Sequence, residues 1–209
     1  MLKRMISFGR RLSVVYFLWA VSLPFDSGSS LLETPTLAQG GAAVKRPDAP
    51  QLAPYVPTGH DVVERMLSLA SVTKNDLVVD LGCGDGRIPI WAAKKYGARG
   101  LGVDIDPVRI AEAKANAKTA GVEHLVEFRL QDALKTDVSN ATVVTTFLLS
   151  ASNLRLRPIL TKQLKPGSRV VTNTFSMGDW TAAKTDTFVD STGRTRTVYL
   201  YVADGKVRQ

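Results

Sequence analysis

After Pro57 and Thr58, apolar residues fall at Val62, Val63, Met66, Leu67 and Leu69, the spacing of a helix with one buried stripe. The period then changes. Residues 76–81, Asp-Leu-Val-Val-Asp-Leu, form a short apolar run that passes straight into Gly82, which predicts a buried strand. A helix is expected from Gly86 to about Tyr96, with Pro89 tolerated in its first turn, where a missing N–H costs little, and Gly97 ending it. Gly100–Asp104 reads as the second strand; Pro107 then opens a helix rich in Ala, Lys and Glu that Gly121 stops. Strands follow near Val126–Leu130 and at Ala141–Leu149, the latter nearly all apolar or threonine, as a strand covered on both faces should be. A helix around Asn153–Leu164 contains Pro158, which predicts a kink or a late start. Lys165-Pro166-Gly167 is a turn and Arg169–Phe175 a fifth strand. Two more strands are expected near Thr187–Val189 and Arg196–Val202, with Ser191-Thr192-Gly193 as a hairpin turn between them. Alternating strands and helices closed by a hairpin predict an α/β fold with a doubly wound sheet.

The N-terminal part follows a different pattern. Residues 1–11 are basic and hold no acid, and Leu12–Leu23 is an apolar run of 12 residues closed by Pro24. That is the layout of a secretory signal, and it falls short of the roughly 20 apolar residues of a spanning helix. Residues 1–38 are therefore expected to be a signal peptide or an N-terminal membrane anchor, giving a membrane-associated or exported protein. A mitochondrial presequence shares the Arg-rich, acid-poor composition and is the alternative for a eukaryotic source. Residues 39–54, rich in Gly, Ala, Pro and Gln, read as a linker to a single domain at 55–209.

Composition narrows the chemistry. The net charge of +8 includes +2 from residues 1–39, leaving +6 on the remainder. The basic residues are scattered and not interleaved with aromatics, so nucleic acid is not the expected partner. Cys83 is the only cysteine, which excludes an intrachain disulfide and a cysteine zinc site. His60 and His124 lack a second ligand at metal spacing, and no metal is expected.

The sharpest motif is Val78-Val79-Asp80-Leu81-Gly82-Cys83-Gly84-Asp85-Gly86-Arg87. Its glycines let the backbone turn sharply and approach a ligand, and the next helix aims its N-terminal amides there. A dinucleotide fingerprint would place the third glycine three residues after the second, where this chain has Arg87. Asp80 would be awkward beside a pyrophosphate, yet it suits the ammonium group of S-adenosyl-L-methionine (SAM). Asp104 follows Gly86 by 18 residues, at the end of the second strand, where a carboxylate can accept both ribose hydroxyls. Asp132, just past the third strand, can receive an adenine amino group. Asp85 is placed to cap the following helix. Cys83 has no histidine nearby to activate it and reads as a packing residue, as do Trp91 and Trp180, although Trp180 could also line a substrate mouth.

On these motifs the chain resembles the class I SAM-dependent methyltransferases over roughly residues 55–180. From Tyr55-Val56-Pro57-Thr58 through Asp80–Arg87 and Thr142–Leu149 to Gly178-Asp179-Trp180, it is similar to one branch. That branch holds the bacterial relatives of mitochondrial protein-lysine methyltransferases, which act on the c-ring protein of ATP synthase and on the adenine nucleotide carrier. The resemblance implies a Rossmann-like seven-stranded sheet and a SAM cofactor. It puts Asp80, Gly82 and Gly84 near the methionine part, Asp104 on the ribose and Asp132 at the adenine, with Tyr55 and Thr58 closing over them. It also implies a protein substrate, membrane-associated in that branch, and a monomer is expected.

The acceptor is less legible. Amide-directed methyltransferases carry an Asn/Asp-Pro-Pro-Tyr tetrad after the fourth strand, where this chain has Phe147-Leu148-Leu149-Ser150. No base can be named, so the catalytic residues stay unknown. Thr145, Thr146 and Ser150 are candidates for positioning, while Asn153 and Arg155 could touch substrate or begin a solvated helix. A small-molecule methyltransferase, a non-catalytic SAM-binding envelope protein and a nicotinamide-dependent oxidoreductase remain as rival readings.

Overall fold

A computed structural model describes residues 46–209; the basic start, the apolar run at 12–23 and the first part of the expected linker lie outside the described residues. The elements run α1 His60–Leu69, β1 Leu77–Leu81, α2 Arg87–Tyr96, β2 Arg99–Asp104, α3 Pro107–Thr119 and β3 Val126–Leu130. After a single 3-10 turn at Ala133–Lys135 come β4 Val143–Thr146, α4 Ser150–Gln163, β5 Arg169–Asn173, β6 Lys184–Val189 and β7 Thr195–Val202. The seven strands form one sheet in the order β3-β2-β1-β4-β5-β7-β6. Neighbours from β3 to β5 are parallel, and β7 lies antiparallel to both β5 and β6. The doubly wound α/β sheet and its antiparallel C-terminal hairpin are thus as expected.

Alternation along β1 explains why its residues build both layers. Val78 faces a core with Val63, Met66 and Leu67 of α1 and Ala92 of α2. Val79 and Leu81 face the opposite core, with Leu156 and Leu160 of α4. A third cluster joins Ile90, Ile110, Ala113 and Phe128 between α2, α3 and β3. Burial of this kind contributes roughly 25 cal/mol per Å² of apolar surface, which is why the apolar stripes decide the topology.

Some boundaries differ from expectation, each for a physical reason. β4 stops at Thr146, although the apolar run continues to Leu149. Thr146 pairs with Leu81 on one side, and beyond it β1 has already turned into Gly82, so the ladder is lost on that side. The helix starts at Ser150, not Asn153, and runs through Pro158. Its first turn is closed by the Leu149 carbonyl, which accepts from Ser152 N (2.9 Å) and Asn153 N (3.0 Å). β6 begins at Lys184 because Ala183 N already donates to Leu200 O of β7. The hairpin turn is organised by buried Asp190, which accepts from Thr192, Arg194 and Arg196.

The sheet's order reverses between β1 and β4, with β2 and β3 lying on one side and β5 on the other. Ligands of open α/β sheets bind in the crevice outside the carboxyl ends of the strands at such a switch point. The glycine loop leaves β1 there.

Candidate active site

Backbone hydrogen bonds first fix the loop after β1. Gly82 N and Cys83 N both donate to Val103 O of β2 at 2.9 Å, and Gly86 N closes the turn on Cys83 O. Asp104, the last residue of β2, ties the loop from the other side. Its Oδ2 accepts from Gly84 N and its Oδ1 from Asp106 N, each at 2.9 Å. Gly84 has a φ of +53°, and a Cβ on it would lie 2.6 Å from the Tyr55 ring. Only glycine combines that conformation with so close an approach.

The strand ends bring three acids to one cleft, which encloses about 910 Å³ including its open mouth. Asp80, Asp104 and Asp132 line it, with Tyr55 and Thr58 from the N-terminal side and Phe147 and Leu148 after β4. Asp80 is buried, and Thr145, its register partner on β4, donates to its Oδ1 at 2.7 Å. Burial pushes the Asp80 carboxyl up to about 7; the Thr145 hydrogen bond opposes that rise, and the Asp104 and Asp85 charges add to it. A cation beside such a group favours its ionised form at neutral pH. Asp132 accepts from Leu134 N (2.9 Å) with one oxygen, capping the 3-10 turn, which leaves the other for a ligand.

Burial also raises the Cys83 thiol, as do the Asp80 and Asp104 charges, so it stays protonated and packs within the cluster between α2, α3 and β3. The segment before α1 is strapped across this end. Arg87 donates to Thr58 O (2.6 Å), Arg109 lies 4.4 Å from the Tyr55 ring centroid, and Arg46 pairs with Asp106 at 3.1 Å. Ser152 of α4 donates to Leu52 O. Residues 50–54, the end of the expected linker, therefore form part of the cleft wall.

The ANTKMT methyltransferase domain model matches residues 80–184, half of the chain. A protein-lysine N-methyltransferase of Saccharolobus islandicus is 47% identical over 150 residues, 71% of this chain and 92% of that protein. The chain belongs to the ANTKMT methyltransferase family. A Xenopus laevis lysine N-methyltransferase named for the c-ring protein of ATP synthase is 31% identical over 127 residues, 61% of this chain. Those residues make up 55% of that protein, so the match spans about half the length of this relative. The chain is also similar to the crystal structure of an RNA methyltransferase from Salinibacter ruber in complex with S-adenosyl-L-homocysteine. That structure is 49% identical, with a TM-score of 0.68, covering 74% of this chain and 97% of that one.

Membership makes the chain a SAM-dependent methyltransferase, and its own residues fit the cofactor. The acid-lined cleft, where Asp80 has no counter-cation among the described residues, suits a ligand that carries positive charge and hydroxyl groups. All seven residues expected at the cofactor from sequence, Tyr55, Thr58, Asp80, Gly82, Gly84, Asp104 and Asp132, line this one cleft.

Other expectations are corrected. Asp85 does not cap α2, whose N-cap is Gly86 with no side-chain cap; it forms a two-point pair with Arg87 instead. Burial works to raise the Asp85 carboxyl, but Arg87 outweighs it and holds it below the ordinary carboxylate range. Trp180, by contrast, packs as expected, buried against Tyr201 with Arg208 over its ring, and is absent from the cofactor cleft wall. Asn153 is neither solvated nor turned to the cleft, being fully buried inside α4. Reasoning from sequence missed the Arg87 clamp; its only signal was an arginine in the slot where a dinucleotide loop has glycine.

Proposed function

We propose that this methyltransferase transfers the SAM methyl group to the ε-amine of a protein lysine. The observation that carries the reading is the 47% identity to a protein-lysine N-methyltransferase across 92% of that protein. In this reading the Asp80 carboxylate pairs with the ammonium of the methionine part, and Gly82 and Gly84 let the backbone approach it. Asp104 accepts from the ribose hydroxyls, Asp132 from the adenine amino group, and Tyr55 and Thr58 close the cleft. Both Asp104 oxygens already hold a backbone N–H, so the carboxylate is oriented before any ligand arrives.

Methyl transfer is an in-line displacement: the lysine nitrogen forms a bond to the methyl carbon as the sulfonium sulfur leaves with the electron pair as a thioether. The amine must first lose its proton, and desolvation in an apolar entrance lowers its pKa without a dedicated base. The segments after β4 and β5 suit that step, since residues 141–153 and 170–178 contain no ionisable side chain. Positioning then supplies much of the rate. The acceptor in this reading belongs to a membrane-associated protein, and the apolar run at 12–23 brings the enzyme to that surface.

A second reading, an RNA acceptor, is favoured by the name of the Salinibacter ruber structure. Incubation of the enzyme with tritiated SAM and separate membrane-protein and RNA fractions distinguishes the two. Label is expected on protein, and to disappear when lysines are chemically blocked beforehand. Label confined to RNA, or undiminished on blocked protein, would overturn the lysine reading.

A further inference from the structure

The chain leaves the sheet after β4 and again after β5, and shortly after each exit stands a phenylalanine, Phe147 and Phe175. Phe147 and Phe175 stack with ring centroids 6.5 Å apart and planes inclined by 24°. Both are half-buried. Phe147 also lines the cofactor cleft, so the pair is continuous with the place where the methyl donor lies. On the other side, the loop that carries Phe175 is held unusually firmly for a segment without regular structure. Asn153 Nδ2 donates to Phe175 O at 2.9 Å, Tyr201 Oη accepts from Met177 N at 3.0 Å, and Arg157 donates to Met177 O at 3.1 Å.

Asn153 is the connecting residue. It is fully buried, and its Oδ1 accepts from Thr146 Oγ1 at 3.2 Å, so a single side chain joins the last residue of β4 to the loop after β5. A buried amide is retained only where its groups find partners, and here its donors and its acceptor fix the two aromatic loops relative to each other. Thr174, beside Phe175, adopts a left-handed φ of +66°. A β-branched residue in that conformation is strained, and such strain persists where the surroundings over-determine it, commonly at functional sites.

We infer that the Phe147–Phe175 pair is the acceptor subsite, that it takes the unbranched alkyl stem of a lysine side chain, and that Asn153 is its positioning residue. The inference rests on the lysine reading above. A slot walled by two phenylalanine rings desolvates an amine and favours the form that has shed its proton, and the Thr145 and Thr146 hydroxyls at the end of β4 are committed to Asp80 and Asn153. No Lys or Arg occurs in residues 141–154 or 170–183, so these two segments offer no cation to a nucleic-acid phosphate.

The test uses the full-length enzyme, tritiated SAM and a membrane-protein extract, with methyl-lysine measured after hydrolysis and an RNA extract run in parallel. Phe175→Leu and Asn153→Asp, which keeps shape but removes the Nδ2 donors, are each expected to lose roughly ten- to a hundredfold in rate at limiting acceptor, the cost of misplacing a nucleophile. Phe175→Tyr, which keeps the ring, should retain most of the rate. SAM affinity by calorimetry should be unchanged in all three, which also shows that the variants fold. Wild-type formation of methyl-lysine together with unimpaired Phe175→Leu and Asn153→Asp would overturn the subsite alone. A parallel fall in SAM affinity and rate would reduce both residues to a structural role and overturn it too. Label found by the wild type only in RNA would remove the lysine reading and the subsite with it.

Discussion

Asp80 concentrates the electrostatic problem of the cleft in one carboxyl. Its folded pKa, raised to about 7 by burial, lies above the ordinary value of about 3.9. Between those values the folded chain holds a proton that the unfolded chain has released, so this group's contribution to stability falls as pH rises through that window. A bound ammonium reverses the preference. SAM affinity is therefore expected to rise from about pH 5.5 to about pH 7, with a proton released on binding. Calorimetry in buffers of different ionisation enthalpy measures that release, and binding without it would detach Asp80 from the cofactor's cation. Asp104→Ala removes a charged hydrogen-bond acceptor and is expected to weaken SAM binding by about 1.5–3 kcal/mol, read by the same method. Unchanged affinity would remove Asp104 from the ribose. Both acids were legible in the sequence because each sits at the C-terminal end of a recognisable apolar strand. Thr145, Arg87 and Asn153 were not, since their roles depend on partners far away in the chain: Thr145 meets Asp80 only through strand register, and Arg87 meets Thr58 only once the segment before α1 folds back.

Among the elements, the glycine loop is the most sharply constrained. Gly84→Val forces a β-branched residue into a φ of +53° and drives its Cβ against the Tyr55 ring. The expected outcome is loss of detectable SAM binding, with the sheet retained because the core clusters lie beneath the loop. Circular dichroism and calorimetry on the purified variant check both halves, and a folded variant with normal affinity would contradict the loop's role. The strand-turn-helix order was readable here because apolar periodicity and glycine spacing agree. It was less readable where they conflict. The run Ala141–Leu149 looked like one long strand, yet only Val143–Thr146 pairs with both β1 and β5. Asn153 looked like the start of a helix, and instead spends its side chain inside α4, joining two loops. Pro158 was expected to kink that helix or delay its start, and the late start does not occur: the helix runs from Ser150 to Gln163.

At the scale of the whole molecule, the reversal of strand order between β1 and β4 gathers acids from three separate strand ends into one cleft. The fold class was readable from the alternation of elements, whereas the position of β7 between β5 and β6 was not, because a hairpin's neighbours are not encoded in its own period. No helix among the described residues is long and apolar enough to cross a membrane. If residues 1–39 act as the signal or anchor their sequence suggests, fractionated cells should hold the full chain at a membrane and the Δ1–39 form in the soluble fraction. Equal distribution of the two forms would contradict that role. The most direct measurement for lysine methylation is mass spectrometry of a membrane-protein extract treated with the enzyme and deuterium-labelled SAM, with Asp104→Ala as control. Labelled methyl groups on lysine ε-nitrogens, abundant with the wild type and depleted with Asp104→Ala, are the expected result; labelled methyl groups on any other acceptor, with lysines unmodified, would contradict it.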